Sequence, residues 1–286
     1  MKVIFNGDDF GLTPGINRGI IRAFQEGLLC STSFVPSGEA AAEAISLAKA
    51  NPGLDVGIHL ILSDESPVLH PESLSSVISL GTCFPSRNRL LKAIVTRKID
   101  YKEVEAEWTA QVETVLNAGI QVSHLDSHQF VHLFPGLLSV CLNIVEKFKI
   151  PFLRASTDDS ISLKYGLRRL MQWGGLAFWT RWFVSFSVPS YVHALPSVGF
   201  LTSGGKMTKA VLLKTLYVLG SKKTAQTVEI TLHPGMEDPY TVTKYRHWGY
   251  SWKEDLDLLM DRGLKNALAL QSIIPTSFRD IIYETD

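Results

Sequence analysis

The sequence predicts an α/β protein built on a parallel sheet. Short apolar runs of β type alternate with helical patterns along the chain. Acids and histidines gather where those runs end, the edge of a parallel sheet at which β/α proteins place their sites. The length of 286 residues and a hydrophobic content of 45% suffice for a sizeable core in one domain. Element order alone leaves an open sheet and a closed barrel as alternatives.

The first run is "KVIF", followed by Asp8 and Asp9. Thr13-Pro14 then reads as an N-cap with proline at the first helical position. Ile16, Ile20 and Phe24 follow at helical spacing, and Gly27 is the stop. "STSFVPSG" is the second strand, "EAAAEAISLAKA" a helix ended by Asn51-Pro52-Gly53, and "LDVGIHLIL" the third strand. Residues of about 63–90, rich in Ser and Pro, carry no sustained period and read as a functional loop insertion. In "YKEVEAEWTAQVETVLNAG", Val104, Trp108, Val112 and Leu116 share one helical face. "IQVSHLD" is a strand, "PGLLSVCLNIVEKF" a helix and "IPFLRAS" a strand. "KAVLLKTLYVLG" is helical and "TVEITLHPG" a further strand. "WKEDLDLLMDRGLKNALAL" reads as one helix, with Ser251 and Glu254 as a capping box. No repeat, low-complexity tract or linker appears, so 1–286 reads as a single domain.

Lys plus Arg and Asp plus Glu both number 28, so no global basic footprint for nucleic acid exists. Cys30, Cys83 and Cys141 fit neither a disulfide framework nor a thiolate metal site. The N-terminal apolar run reaches acids by residue 8, too short for a signal peptide, and the expected location is the cytoplasm. The apolar, aromatic-rich segment of about 172–192 contains Arg181 and Pro189, which argues against a membrane span. It reads as a core or lid helix. The alternative is a peripheral membrane contact, with Arg168, Arg169 and Arg181 beside Trp173, Trp179 and Trp182.

At the strand ends stand Asp8-Asp9, His59, the cluster His124, Asp126, His128 and His132, then Arg154 and His233. Each has a structural explanation by itself. Asp9 suits a helix N-terminus, His59 a core imidazole bonded to backbone, and His132 simple packing. His70, His193 and His247 sit in loops and receive no role. Together the set suits a divalent metal such as zinc, held by one carboxylate and two imidazoles with a water in the open position. A second carboxylate takes the water's proton and another histidine protonates the leaving group. Neighbouring side chains diverge at a strand exit, so Asp8 and Asp9 can take separate roles.

"NGDDFGLTPGINRGI", "VGIHLIL", "HLDSHQFVHLFP" and "TLHPG" together resemble the YdjC-like carbohydrate deacetylases, which include the chitooligosaccharide deacetylases. The resemblance implies a distorted (β/α) barrel, one divalent metal (Zn²⁺ or Mg²⁺) and hydrolysis of an N-acetyl group from an N-acetylglucosamine-type sugar. It places the metal on Asp9, His59 and His128 and the general base on Asp8. His233 is the candidate general acid, Asp126 the residue that orients a histidine, and Arg154 a partner of substrate or base. His124 and His132 join these as supporting or substrate-binding residues. Chitooligosaccharide members usually carry two further histidines where Gln129 and Phe130 stand, which leaves the metal set intact and the sugar open. "LTSGGKMTKAVLLKTL", "EITLHPG" and the Trp-rich segment resemble the hopanoid-biosynthesis-associated branch, which implies a lipid-linked sugar. A homodimer is left open. The other readings are a metal-dependent phosphoesterase, with Asp8 or Asp126 bridging two metals, and a non-catalytic sugar- or lipid-binding barrel.

Overall fold

A computed structural model describes residues 1–78, 81–156, 192–199, 202–221 and 227–285. The aromatic-rich segment of 172–192 lies, apart from its last residue, outside the described residues. Seven strands carry the fold: β1 (Lys2–Phe10), β2 (Ser31–Phe34), β3 (Asp55–Leu60), β4 (His124–Ser127), β5 (Phe152–Ser156), β6 (His193–Val198) and β7 (Thr227–Leu232). All pair in parallel, and β1 bonds to both β2 and β7, so the sheet closes on itself. The barrel alternative is therefore the one realised. Its distortion lies at β1. The upper part of this strand pairs with β2 from Asn6 onward, while Lys2 and Val3 pair with a two-residue β8 (Ile274–Pro275). What would be an eighth strand is reduced to a short bridge at the barrel floor.

Among the described residues the α-helices are α1 (Pro14–Glu26), α2 (Ala41–Ala50), α3 (Arg87–Val95), α4 (Tyr101–Asn117), α5 (Leu137–Phe148), α6 (Lys209–Ser221), α7 (Pro239–Tyr245), α8 (Trp252–Met260), α9 (Arg262–Leu270) and α10 (Phe278–Thr285). In α1 the Thr13 hydroxyl accepts from the Ile16 N–H at 3.2 Å and the Gly27 N–H closes on Ala23. Ile16 and Ile20 are fully buried against the barrel, each stabilising the fold by roughly 1.5–3 kcal/mol. In α4, Val104, Trp108 and Val112 face inward, but Leu116 is 38% exposed and Val115 packs in its place.

The loop after β3 is ordered by two polar residues on the inner face of α4. Glu107 accepts from the N–H groups of Val68 and Leu69 at 2.8 and 2.9 Å. Gln111 exchanges hydrogen bonds with both backbone groups of Ile61 at 2.9 Å. The single helix expected over 252–270 is two. Asp261 leaves the helical region (φ −70°, ψ 107°) and its carboxylate caps α9 through the Leu264 N–H at 3.0 Å. Ser251 makes no side-chain cap.

Side chains alternate along β1. Val3 and Phe5 join the layer between barrel and helices, whereas Ile4 meets Phe152 and Phe278. Phe278, from α10, thus plugs the barrel floor. Above the plug the interior is polar, with Asn6, Ser33, His124, Asp126, Arg154 and Glu229 all buried. Gly57 makes room for this layer, since a Cβ there would lie 2.3 Å from the His124 ring.

Candidate active site

The exit of β1 builds the centre. Gly7 pairs with Thr32 and Phe10 with Phe34, so one extra residue is inserted in β1. Asp9 takes up the bulge with φ +70°, a left-handed conformation that Asp tolerates better than most residues. The expected divergence of two neighbouring side chains is thereby cancelled. Asp8 lines the cavity at the mouth, and Asp9 meets His59 and His128.

Asp9 Oδ1 lies 3.5 Å from His59 Nε2 and 3.3 Å from His128 Nδ1. All three residues are buried, and these ligand atoms lie within 4.8 Å of one another. No donor among the described residues meets either Asp9 oxygen in good hydrogen-bond geometry, and Oδ2 has no nearby nitrogen in an ion pair. Burial pushes the Asp9 carboxyl up, but His128, His233 and His59 draw it down to about 2. The other nitrogen of His59, Nδ1, lies 2.6 Å from Asp126 Oδ1, which fixes the ring with Nε2 toward Asp9. Burial pulls the His59 imidazole down, and Asp126 with Asp8 raises it to about 9. Converging nitrogen and oxygen donors in a field of excess carboxylate fit a divalent cation. A second grouping, Asp8, His59 and Asp126, also has ligand atoms close together. Its carboxylates, however, are already engaged.

Arg154 engages them. Its Nη1 and Nη2 donate to the two oxygens of Asp8 at 2.7 Å each, a bidentate pair. Nε and Nη2 donate to Glu229 Oε1 at 2.8 and 2.6 Å, and Nη2 lies 2.5 Å from Asp126 Oδ2. Burial disfavours the guanidinium charge, yet the three carboxylates hold its pKa well above the usual arginine value. Glu229 absorbs the excess negative charge. Burial, with Asp126 and Asp8 adding to it, pushes its carboxyl up to about 7 against the pull of Arg154. The sequence reading missed Glu229. The signal for it is the alternation Glu229, Thr231, His233 along β7, which puts three polar residues on the interior face.

His233 follows directly on β7, its ring centroid 4.0 Å from that of Tyr250. Asp255 of α8 accepts from the His233 N–H at 2.9 Å and approaches Nδ1 at 3.9 Å. His124 and His132 do not line the cavity. His124 sits between the hydroxyls of Ser33 and Ser123 at 3.1 and 2.8 Å and stacks on Phe278. His132 lies 2.6 Å from the Ser127 hydroxyl and 3.1 Å from the Arg154 carbonyl. Burial pushes both imidazoles down to about 4, so both are neutral parts of the barrel wall.

The cavity has a volume of ≈ 460 Å³ and is lined by Asp8, His59, His128 and His233. Arg87, Asp64, Gln129, His247, Trp248 and Tyr250 also line it, none of them foreseen as site residues. The Trp248 ring lies tilted against those of His128 and Tyr245, with centroids 4.4 and 4.2 Å away, which makes the 246–250 turn an aromatic wall. His247, given no role from sequence, belongs to that turn, and His193 opens β6 rather than a loop. Asp64, Gln129 and Phe130 all have positive φ (64°, 54° and 58°), and Gln129 Nε2 donates to Asp64 at 3.2 Å. Backbone strain of roughly 1–3 kcal/mol per residue is thus concentrated at the rim.

A protein of Enterococcus faecalis V583, described as a candidate for cellobiose-phosphate cleavage, shares the fold, with a TM-score of 0.73 at 24% identity and 98% of each chain covered. A carbohydrate deacetylase of Vibrio parahaemolyticus is 27% identical over 99% of this chain and 97% of its own. A carbohydrate deacetylase of Vibrio campbellii is 42% identical over 53% of this chain, a match that spans 58% of that relative. The family model described as YdjC-like protein matches residues 2–270, which include all of β1 to β7 and every residue of the Asp9, His59, His128 and Arg154 constellation. With barrel, buried cluster and sequence in agreement over nearly the full length, the chain belongs to the YdjC-like family.

Proposed function

We propose that this chain hydrolyses the N-acetyl group of an N-acetylglucosamine-type sugar, releasing acetate and a free amine. The observation that carries the reading is the placement of buried Asp9 against His59 and His128, at 3.5 and 3.3 Å, beside the Arg154-held Asp8. Asp9, His59 and His128 would hold a divalent cation, Zn²⁺ or Mg²⁺. Bound there, it supplies Lewis acidity toward the acetamide oxygen and the attacking water.

The remaining chemistry belongs to the side chains. Asp8 takes the water's proton, and its bidentate contact with Arg154 fixes where the carboxylate points. His233 delivers a proton to the departing amine nitrogen, with Asp255 behind it to set the ring. Asp126 holds His59 in orientation. Trp248 and Tyr250 offer faces on which a sugar ring can lie. The named relatives support a carbohydrate substrate. The resemblance to the hopanoid-associated branch extends this to a lipid-linked sugar acted on in the cytoplasm.

A two-metal phosphoesterase needs a second set of free ligands, and the Asp8/Asp126 grouping spends its oxygens on Arg154, Ser33 and His59. Acetate release from N-acetylglucosaminyl compounds tests the proposal. It should vanish in Asp9→Ala and on chelation, and activity that survives thorough metal removal would overturn it.

A further inference from the structure

We propose that the outer face of α3, with the groove beside it, docks on an anionic lipid bilayer. From residue 87 to residue 98 the chain carries Arg87, Arg89, Lys92, Arg97 and Lys98 and no acid, although its overall net charge is zero. Arg89, Lys92, Arg97 and Lys98 are exposed. None of the five pairs with a carboxylate among the described residues. The first acid after them, Asp100, uses its carboxylate to cap α4 through the Lys102 N–H at 2.9 Å. Positive charge concentrated on α3 and the turn that follows it, in a protein of zero net charge, calls for an anionic partner.

The same helix exposes apolar surface. Leu91 and Val95, four residues apart on one face, are 39% and 73% exposed. They form one wall of a groove of ≈ 480 Å³ whose other walls include Ile99, Tyr101 and Pro135, with Arg97 among its lining residues. A helix and adjoining turn that set basic side chains beside an apolar stripe match a bilayer interface, where headgroup phosphates and acyl chains are offered side by side. A nucleic acid would answer the charges and leave Leu91, Val95 and the groove unmatched. The first turn of α3 reaches the catalytic cavity, since Ser86, Arg87 and Asn88 line it. Docking on α3 therefore brings the cavity mouth to the membrane surface, where a substrate with a lipid anchor would lie. The surface does not depend on which bond the cavity cleaves.

Co-sedimentation of the metal-loaded full chain with vesicles tests this. Binding is expected to phosphatidylcholine vesicles containing phosphatidylglycerol and not to phosphatidylcholine alone, and to weaken as salt is added. The double variant Lys92→Gln/Arg97→Gln should lower the partition coefficient roughly thirtyfold. Val95→Ser should lower it on the same vesicles. Both variants should keep the wild-type melting temperature, because the altered side chains are exposed. Equal binding to the neutral vesicles, or binding untouched by the double variant, would overturn the proposal. So would competition by a short RNA that is as effective as the vesicles and insensitive to Val95→Ser, which would assign the patch to a polyanion. Vesicle binding without acetate release from any sugar would leave this inference standing and remove the proposed reaction.

Discussion

Glu229→Gln isolates the charge balance of the barrel interior. Glu229 is fully buried and its carboxyl is raised from 4.5 to about 7. The raised value means that the folded state favours the protonated form. The associated stability is fully present below 4.5 and is lost as pH rises through about 7. At about 1.4 kcal/mol per tenfold change in proton affinity, the displacement corresponds to about 3 kcal/mol. Gln keeps an oxygen to accept from Arg154 Nε and Nη2 and cannot ionise. The variant should therefore match wild type at acid pH and exceed it by about 3 kcal/mol on the alkaline side of 7. Urea unfolding of both proteins across this range, taken as a difference at each pH, measures the effect. Other titrating groups cancel in that difference. A difference independent of pH would refute the assignment of the excess charge to Glu229.

Three further outcomes follow from the same geometry. His132 and His124 are lowered from 6.5 to about 4, so the stability each contributes, about 3 kcal/mol, is present above 6.5 and lost as pH falls through 4. His132→Gln should move the acid-unfolding midpoint, followed by circular dichroism, to lower pH. Gly57→Ala puts a Cβ 2.3 Å from a His124 ring that is held by Ser33, Ser123 and Phe278, and should cost about 1–3 kcal/mol in a melting experiment. Trp248→Ala should raise KM for the sugar roughly tenfold while bound metal, read by atomic absorption, stays at the wild-type level.

Much of the barrel was legible because its strands end in residues that a buried edge would not otherwise tolerate. Asp9, His59 and His128 stand out on that ground, whereas the contacts of Arg154 with Asp126 and Glu229, beside its contact with Asp8, carry no sequence signal of their own. Glu229 escaped notice because a lone charge in an apolar run reads as noise unless the period-2 face is followed through to His233. Strand β6 carried no apolar alternation and contains Pro196, so its pairing with β5 and β7 is set by barrel closure. The wall of Trp248 and Tyr250 depends on which loop folds over the mouth, a matter of tertiary packing with no local signal. The break at Asp261 did carry one, a capping residue inside an apparent helix, overridden in reading by the apolar period on either side.

In the proposed reaction two adjacent carboxylates have separate tasks, Asp9 holding the metal and Asp8 handling the water's proton. Metal content and acetate release, measured together for Asp9→Asn and Asp8→Asn, test it most directly. Asp9→Asn should lose both. Asp8→Asn should retain one equivalent of metal and lose about 10²–10⁴ in rate. Metal retained in Asp9→Asn, or full acetate release in Asp8→Asn, would overturn this division of roles.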